Sequence, residues 1–120
     1  YSAVIADFNG DNQKDIYVSN VGMNTFYLNN NTFEIKTIKY GAKIEGYSTG
    51  SAVADFDNDG DLDIYVANYI GEGSALLKNK LNNSKFIKVK VQGIENNRNG
   101  IGAKVYIYKD GSMENDTNLL

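Results

Sequence analysis

Five aspartates crowd the nine residues DFDNDGDLD, Asp55 to Asp63, and the next lysine along the chain is Lys78. Ionised carboxylates this close repel one another. The stretch is therefore either a solvated turn that tolerates the repulsion or a cradle for something positive. Its spacing favours the cradle. With Asp55 as position 1, carboxylates fall at positions 1, 3, 5 and 9, as Asp55, Asp57, Asp59 and Asp63. Asp61, at position 7, can offer its backbone carbonyl, and Gly60 stands at position 6. Alternate residues of a tightly curled loop turn their side chains toward one centre, and Ca²⁺ takes roughly six to eight oxygens at about 2.3–2.6 Å. Glycine at position 6 permits the left-handed turn that closes such a ring.

The same frame occurs twice. SAVIADFNGDNQKDIYVSN, residues 2–20, is echoed by SAVADFDNDGDLDIYVAN, residues 51–68, with Ile5 the one extra residue in the first copy. Asp7 and Asp55 correspond at a separation of 48 residues, a period of repeat arrays rather than of heptads. The first loop supplies Asp7, Asn9, Asp11 and Asp15, with Gln13 at the carbonyl position. Asn12 replaces the glycine there, and asparagine is the side chain that best tolerates left-handed backbone. The second loop has one more ligating carboxylate and the glycine, so it is expected to bind more tightly. An EF-hand would need Glu at position 12 between helices. Position 12 is Val18 in one copy and Val66 in the other, with strand-like flanks. The loops therefore belong to β-hairpins, with Asp15 and Asp63 opening the second strand. An affinity on the order of 10⁻⁴–10⁻³ M, as in extracellular modules, suits a calcium-rich compartment.

The composition narrows the chemistry further. The chain has no His and no Cys, which removes the commonest general base, thiolate nucleophiles and Cys-based zinc sites. With a single Arg as well, this stretch offers no convincing acid/base pair, and the expectation is that it is not an enzyme. A net charge of −3 and a pI near 4.8 disfavour nucleic acid as a partner. No apolar run is long enough for a membrane-spanning helix. The 120 residues suggest one domain by length. They start without Met at Tyr1, in what reads as a strand, so a fragment is expected.

The elements that must hold these loops read as strands. Residues 2–6 and 50–54 are short apolar runs, as are 16–19 and 64–67. TFYLN, 25–29, and FEIKTIK, 33–39, complete the first copy. Four strands per repeat, joined by tight loops, are the content of a β-propeller blade. Tyr17 and Tyr65 occupy equivalent strand positions and are expected in the core. From Lys85 the pattern changes: KFIKVKV alternates with a two-residue period, a turn-rich GIENNRNGIG follows, and AKVYIYK, 103–109, reads as another strand.

ADFDNDGDLDIYVAN resembles the calcium-binding hairpin of FG-GAP/VCBS repeats, which build the β-propeller of integrin α-subunits and many bacterial surface proteins. The resemblance covers roughly residues 1–84. It implies an all-β fold of propeller blades, each a four-stranded antiparallel sheet, with 1–48 as one repeat and 49–84 as the next. It implies calcium ligands at Asp55, Asp57, Asp59, Asp61 (backbone) and Asp63, and at Asp7, Asn9, Asp11, Gln13 (backbone) and Asp15. FIKVKVQGIENNRNGIGAKVYIY, 86–108, resembles the opening of an ASPIC/UnbV domain, so 85–120 is expected to begin one. The implied role is adhesion, or binding of an extracellular protein or carbohydrate, in a secreted or cell-surface protein, with Ca²⁺ structural. The alternative is the non-catalytic part of a carbohydrate-active enzyme resembling polysaccharide lyase propellers.

Overall fold

The computed structural model describes residues 1–69, 71–81 and 86–107. The chain divides into two compact units, Tyr1–Phe86 and Ile87–Leu120. Every regular element among the described residues is a strand, and all lie in the first unit: β1 (Ser2–Ala6), β2 (Asp15–Ser19), β3 (Val21–Met23), β4 (Thr25–Asn29), β5 (Phe33–Ile35), β6 (Glu45–Ala54), β7 (Asp63–Asn68) and β8 (Ala75–Leu77). They form two four-stranded antiparallel sheets, ordered β1-β2-β4-β5 and β3-β6-β7-β8.

The two hairpins that carry the acidic loops are superimposable in register. Ile5 pairs with Ile16 and Ala6 with Asp15, while Val53 pairs with Ile64 and Ala54 with Asp63. The third strands follow suit, Tyr27 opposite Ile16 and Leu77 opposite Ile64. Both acidic loops thus leave the sheet from the same place in its ladder.

The core lies between the sheets, where the two-residue strand period points alternate side chains inward. The first sheet and its loop contribute Ala6, Phe8, Tyr17 and Phe26; the second contributes Ile64 and Val66, and the β5–β6 connection contributes Ala42. Phe26 packs edge-on against Phe8 and Tyr40, each at 5.7 Å between ring centroids. Burying each large apolar side chain contributes about 1.5–3 kcal/mol. Val53 and Leu77 flank Ile64 and pack against the same core.

Sheet parity corrects one expectation. Tyr17 is buried at 0% exposure, but Tyr65, its counterpart, is 49% exposed. The two sheets stack front to back. Tyr17 therefore looks into the gap between them, while Tyr65 looks out from the far side of the second sheet. The Tyr17 hydroxyl accepts a hydrogen bond from Asn24 Nδ2 at 3.1 Å. Burial pushes its pKa up, against the opposing effect of that bond. Asn24 Nδ2 also donates to Ser48 Oγ at 2.8 Å, and Ser48 Oγ donates to Asn68 Oδ1 at 2.8 Å, so a polar chain links the two sheets through their buried edge.

The strand expected over 33–39 stops at Ile35. Lys36 still donates its N–H to Phe26 O, but the Phe26 N–H goes to the Thr37 hydroxyl at 2.8 Å. A buried side chain thus replaces the backbone partner that would have continued the ladder, and the chain turns through 37–41. β3 also departs from a blade-by-blade reading. It follows β2 directly, yet pairs with the start of β6 in the other sheet, just before an irregularity at Ser48–Gly50 shifts the register of β6 on β7.

The alternating residues 86–91 and 103–107 carry no strand, contrary to expectation; Lys85, Tyr108 and Lys109 lie outside the described residues. Alternation supplies an apolar face but not a ladder partner, and two strands alone are marginal in water. Ile87 is 73% exposed. The Asn97–Ala103 stretch is instead a double turn. Asn97 Oδ1 accepts from Ile101 N, Asn97 Nδ2 donates to Ile101 O, and the Gly100 and Ala103 amides close turns onto Asn97 O and Gly100 O.

Candidate metal centre

The second loop bridges β6 and β7, and its backbone curls around its own carboxylates. Asp55 Oδ1 accepts from Asp59 N at 3.1 Å and Oδ2 from Gly60 N at 3.2 Å; Asp59 Oδ1 accepts from Asp61 N at 3.0 Å. Two residues bend the loop by taking left-handed backbone, Asn58 at φ 63° and Gly60 at φ 94°. The first loop bends at the same two places, Gly10 at 75° and Asn12 at 67°. The position-6 expectation is met in both copies; the bend at position 4, where Gly and Asn trade places, was available from the same alignment. Gly60 is required for space as well, because the Phe86 ring lies where a Cβ would project.

The fold brings oxygen atoms of Asp55, Asp57 and Asp63 within 4.8 Å of one another. Asp59 and Asp61 do not belong to that carboxylate group. Asp61 is nearly buried, at 4% exposure, and its N–H supports Asp59. In the first loop no comparable carboxylate group forms among the described residues. Asn9 stands where Asp57 does in the second copy, and its amide Nδ2 donates to Asp11 Oδ2 at 2.8 Å. Asp7 gathers the Gly10, Asp11 and Asn12 amides, and Asp11 Oδ1 accepts from Gln13 N. The Gln13 side chain is engaged elsewhere, accepting from Asn31 N at 3.0 Å.

Asp15 and Asp63 do more than face the loop. Asp15 is 0% exposed, and its carboxylate accepts from Phe8 N at 3.0 Å and Asn29 N at 2.9 Å. Asp63 is 2% exposed and accepts from Phe56 N at 3.0 Å and Asn79 N at 2.8 Å. Each carboxylate ties the start of its loop to the end of the third strand. The Asn29 and Asn79 partners escaped the sequence reading, although aligning TFYLNN with SALLKNK places them together. Asn79 also donates through Nδ2 to Phe8 O at 2.7 Å, which fastens the second sheet to the first loop.

The loop is not without a counter-charge. Lys78, just after β8, pairs its ammonium with Asp57 Oδ2. That hydrogen-bonded ion pair holds the Asp57 carboxyl below its ordinary range and raises the Lys78 pKa. The lysine is remote in sequence and adjacent in space.

The donor set fits a hard divalent cation. It is all oxygen, it holds three converging carboxylates, and a carboxylate that accepts one or two N–H bonds keeps lone pairs for a metal. The FG-GAP-like repeat model matches residues 7–66, half of the 120-residue chain. The chain belongs to the FG-GAP-like repeat family. That match takes in both acidic loops but not β1, nor the residues that resemble an ASPIC/UnbV domain. Neither curated proteins nor solved structures gave a match.

Proposed function

We propose that this chain is a calcium-stabilised propeller repeat region of a secreted or cell-surface protein, serving adhesion or the binding of an extracellular protein or carbohydrate, with no catalysis of its own. The observation that carries the calcium role is the convergence of Asp55, Asp57 and Asp63 in a loop whose frame recurs in the same ladder position of the other sheet. In this reading Asp55, Asp57, Asp59 and Asp63, with the Asp61 carbonyl, hold the ion; Asp7, Asn9, Asp11 and Asp15, with the Gln13 carbonyl, form a weaker first site. Bound calcium would neutralise the loop and stiffen the hairpin, so its binding energy becomes folding energy.

Support for stacked blades comes from the outward faces. Val53, Ile64 and Leu77 lie side by side in the second sheet and pack into the core. Their counterparts in the first sheet are Ile5, Ile16 and Tyr27, continued by Ile35 across β5. That row spans all four strands and faces away from the core, with Ile5 66% and Ile35 65% exposed. A face that packs on a sheet in one copy and lies open in the other is where a further blade stacks. The far face of the second sheet, with Tyr65 and Leu76 exposed, repeats the argument at the other end. We assign 85–120 to the start of an ASPIC/UnbV-like segment on its sequence resemblance.

Calorimetric melting tests the calcium role. At a calcium concentration about a hundredfold above Kd, binding adds about 2.7 kcal/mol, which raises the midpoint of a unit this size by roughly 10–20 °C over that in chelator. Magnesium, which prefers a tight octahedron with several waters, is expected to give a smaller rise. An unchanged midpoint between about 10 mM calcium and chelator would overturn the proposal.

A further inference from the structure

We infer that Lys78 is a built-in competitor for the second loop, a tethered cation that holds the carboxylates together when the divalent ion is scarce and must let go of Asp57 when it binds. The inference rests on the calcium reading above and concerns how that site is regulated.

Three observations carry it. The first is position. Lys78 follows β8 and precedes Asn79, whose N–H is fixed to Asp63 Oδ1 and whose side chain is fixed to Phe8 O. The root of the lysine is therefore held beside the loop, and its ammonium reaches Asp57 Oδ2 without ordering any further chain. The second is the target. Asp57 is one of the three converging carboxylates, so the oxygen that the ammonium occupies belongs to the set a divalent ion would need.

The third observation is the contrast between copies. The residue that matches Lys78 in the first sheet is Leu28, since Asn29 and Asn79 make equivalent bonds to Asp15 and Asp63. The first loop has no lysine at that place and two carboxylates fewer, because Asn9 and Gln13 stand where Asp57 and Asp61 do, and Asn9 bridges to Asp11 with its neutral amide. One loop thus relieves its repulsion through composition, the other through a movable charge. An ammonium offers one charge and three donors, so it can pair with a rim carboxylate but cannot fill a six- to eight-oxygen cage. A divalent ion outcompetes it at sufficient concentration. The cost of displacing it sets a higher calcium threshold than the carboxylate count alone implies.

The test uses the full 120-residue chain with Lys78→Met, which keeps the length of the stem and removes the charge, and with Lys78→Gln as a second, polar variant. Calcium chloride is titrated into each by calorimetry, and each is melted in chelator. Removing one positive charge beside a divalent site is expected to tighten the stronger calcium affinity roughly three- to tenfold. The same change lowers the melting midpoint in chelator, and saturating calcium restores it to the wild-type value or above. Lys78→Arg, which keeps the charge, is expected to titrate within about twofold of wild type, since the electrostatic contribution is retained. Calcium heats from all chains with equal affinities and equal midpoints in chelator would overturn the role of Lys78 alone. No calcium heat from any chain would overturn the metal reading and this inference with it.

Discussion

Asp63→Asn is expected to lower the stability of the chain by about 2–4 kcal/mol in the absence of calcium, and Asp15→Asn by a similar amount. Each aspartate is buried and accepts two backbone N–H bonds, one from the start of its loop and one from the end of the third strand. The replacement is nearly isosteric, so it opens no cavity. It converts one acceptor oxygen into an NH₂ group aimed at an N–H, which leaves a buried donor unsatisfied, and it downgrades the remaining bond from charge-assisted to neutral. An unsatisfied buried donor costs about 1–3 kcal/mol and a bond to a charged group is worth about 1.5–3 kcal/mol. Urea unfolding in chelator checks the result and isolates this structural tie from any role in binding metal. A loss below about 0.5 kcal/mol, the size of an ordinary surface change, would mean that these bonds do not hold the hairpins.

Asp55→Asn is expected to separate the other way, with a large effect on calcium and a small one on the ion-free fold. Asp55 sits at the mouth of the curl, where both of its oxygens cap amides of the loop itself, those of Asp59 and Gly60. Asparagine retains one acceptor for that turn. It removes a full charge from the group formed with Asp57 and Asp63, and charge count is what tunes oxygen-ligand calcium sites. Calcium affinity of the second loop is expected to fall roughly a hundredfold, while the midpoint in chelator holds or rises slightly because repulsion is relieved. Titration calorimetry decides it. An affinity within about threefold of wild type would place the ion elsewhere, since charge count governs such sites.

Much of this architecture was legible in the residues because it is local. A hairpin loop carries its own ligands and its own bends, so the alternate carboxylates, the turn at Asn12 and Gly60, and the strands that begin at Asp15 and Asp63 all follow from spacing. The match between the two copies also made the repeat visible without any relative. What escaped depends on contacts between distant residues. Tyr17 and Tyr65 are identical in local context, and only the stacking order of the sheets buries one and exposes the other. Lys78 is fifteen residues beyond Asp63 in the sequence and reaches the loop only because β8 pairs with β7. Thr37 ends β5 early by reaching back to Phe26, and β3 crosses to the neighbouring sheet through pairing with β6 that no short-range pattern encodes. In 86–91 the alternation pointed to a strand, but a strand also needs a partner, and no ladder forms there.

The electron density at the loop between β6 and β7, in crystals grown with millimolar calcium, tests the central claim most directly. The account predicts an anomalous peak about 2.3–2.6 Å from oxygens of Asp55, Asp57, Asp59 and Asp63 and from the Asp61 carbonyl. Ordered water at that centre, with the carboxylates turned outward and no anomalous signal, would contradict it.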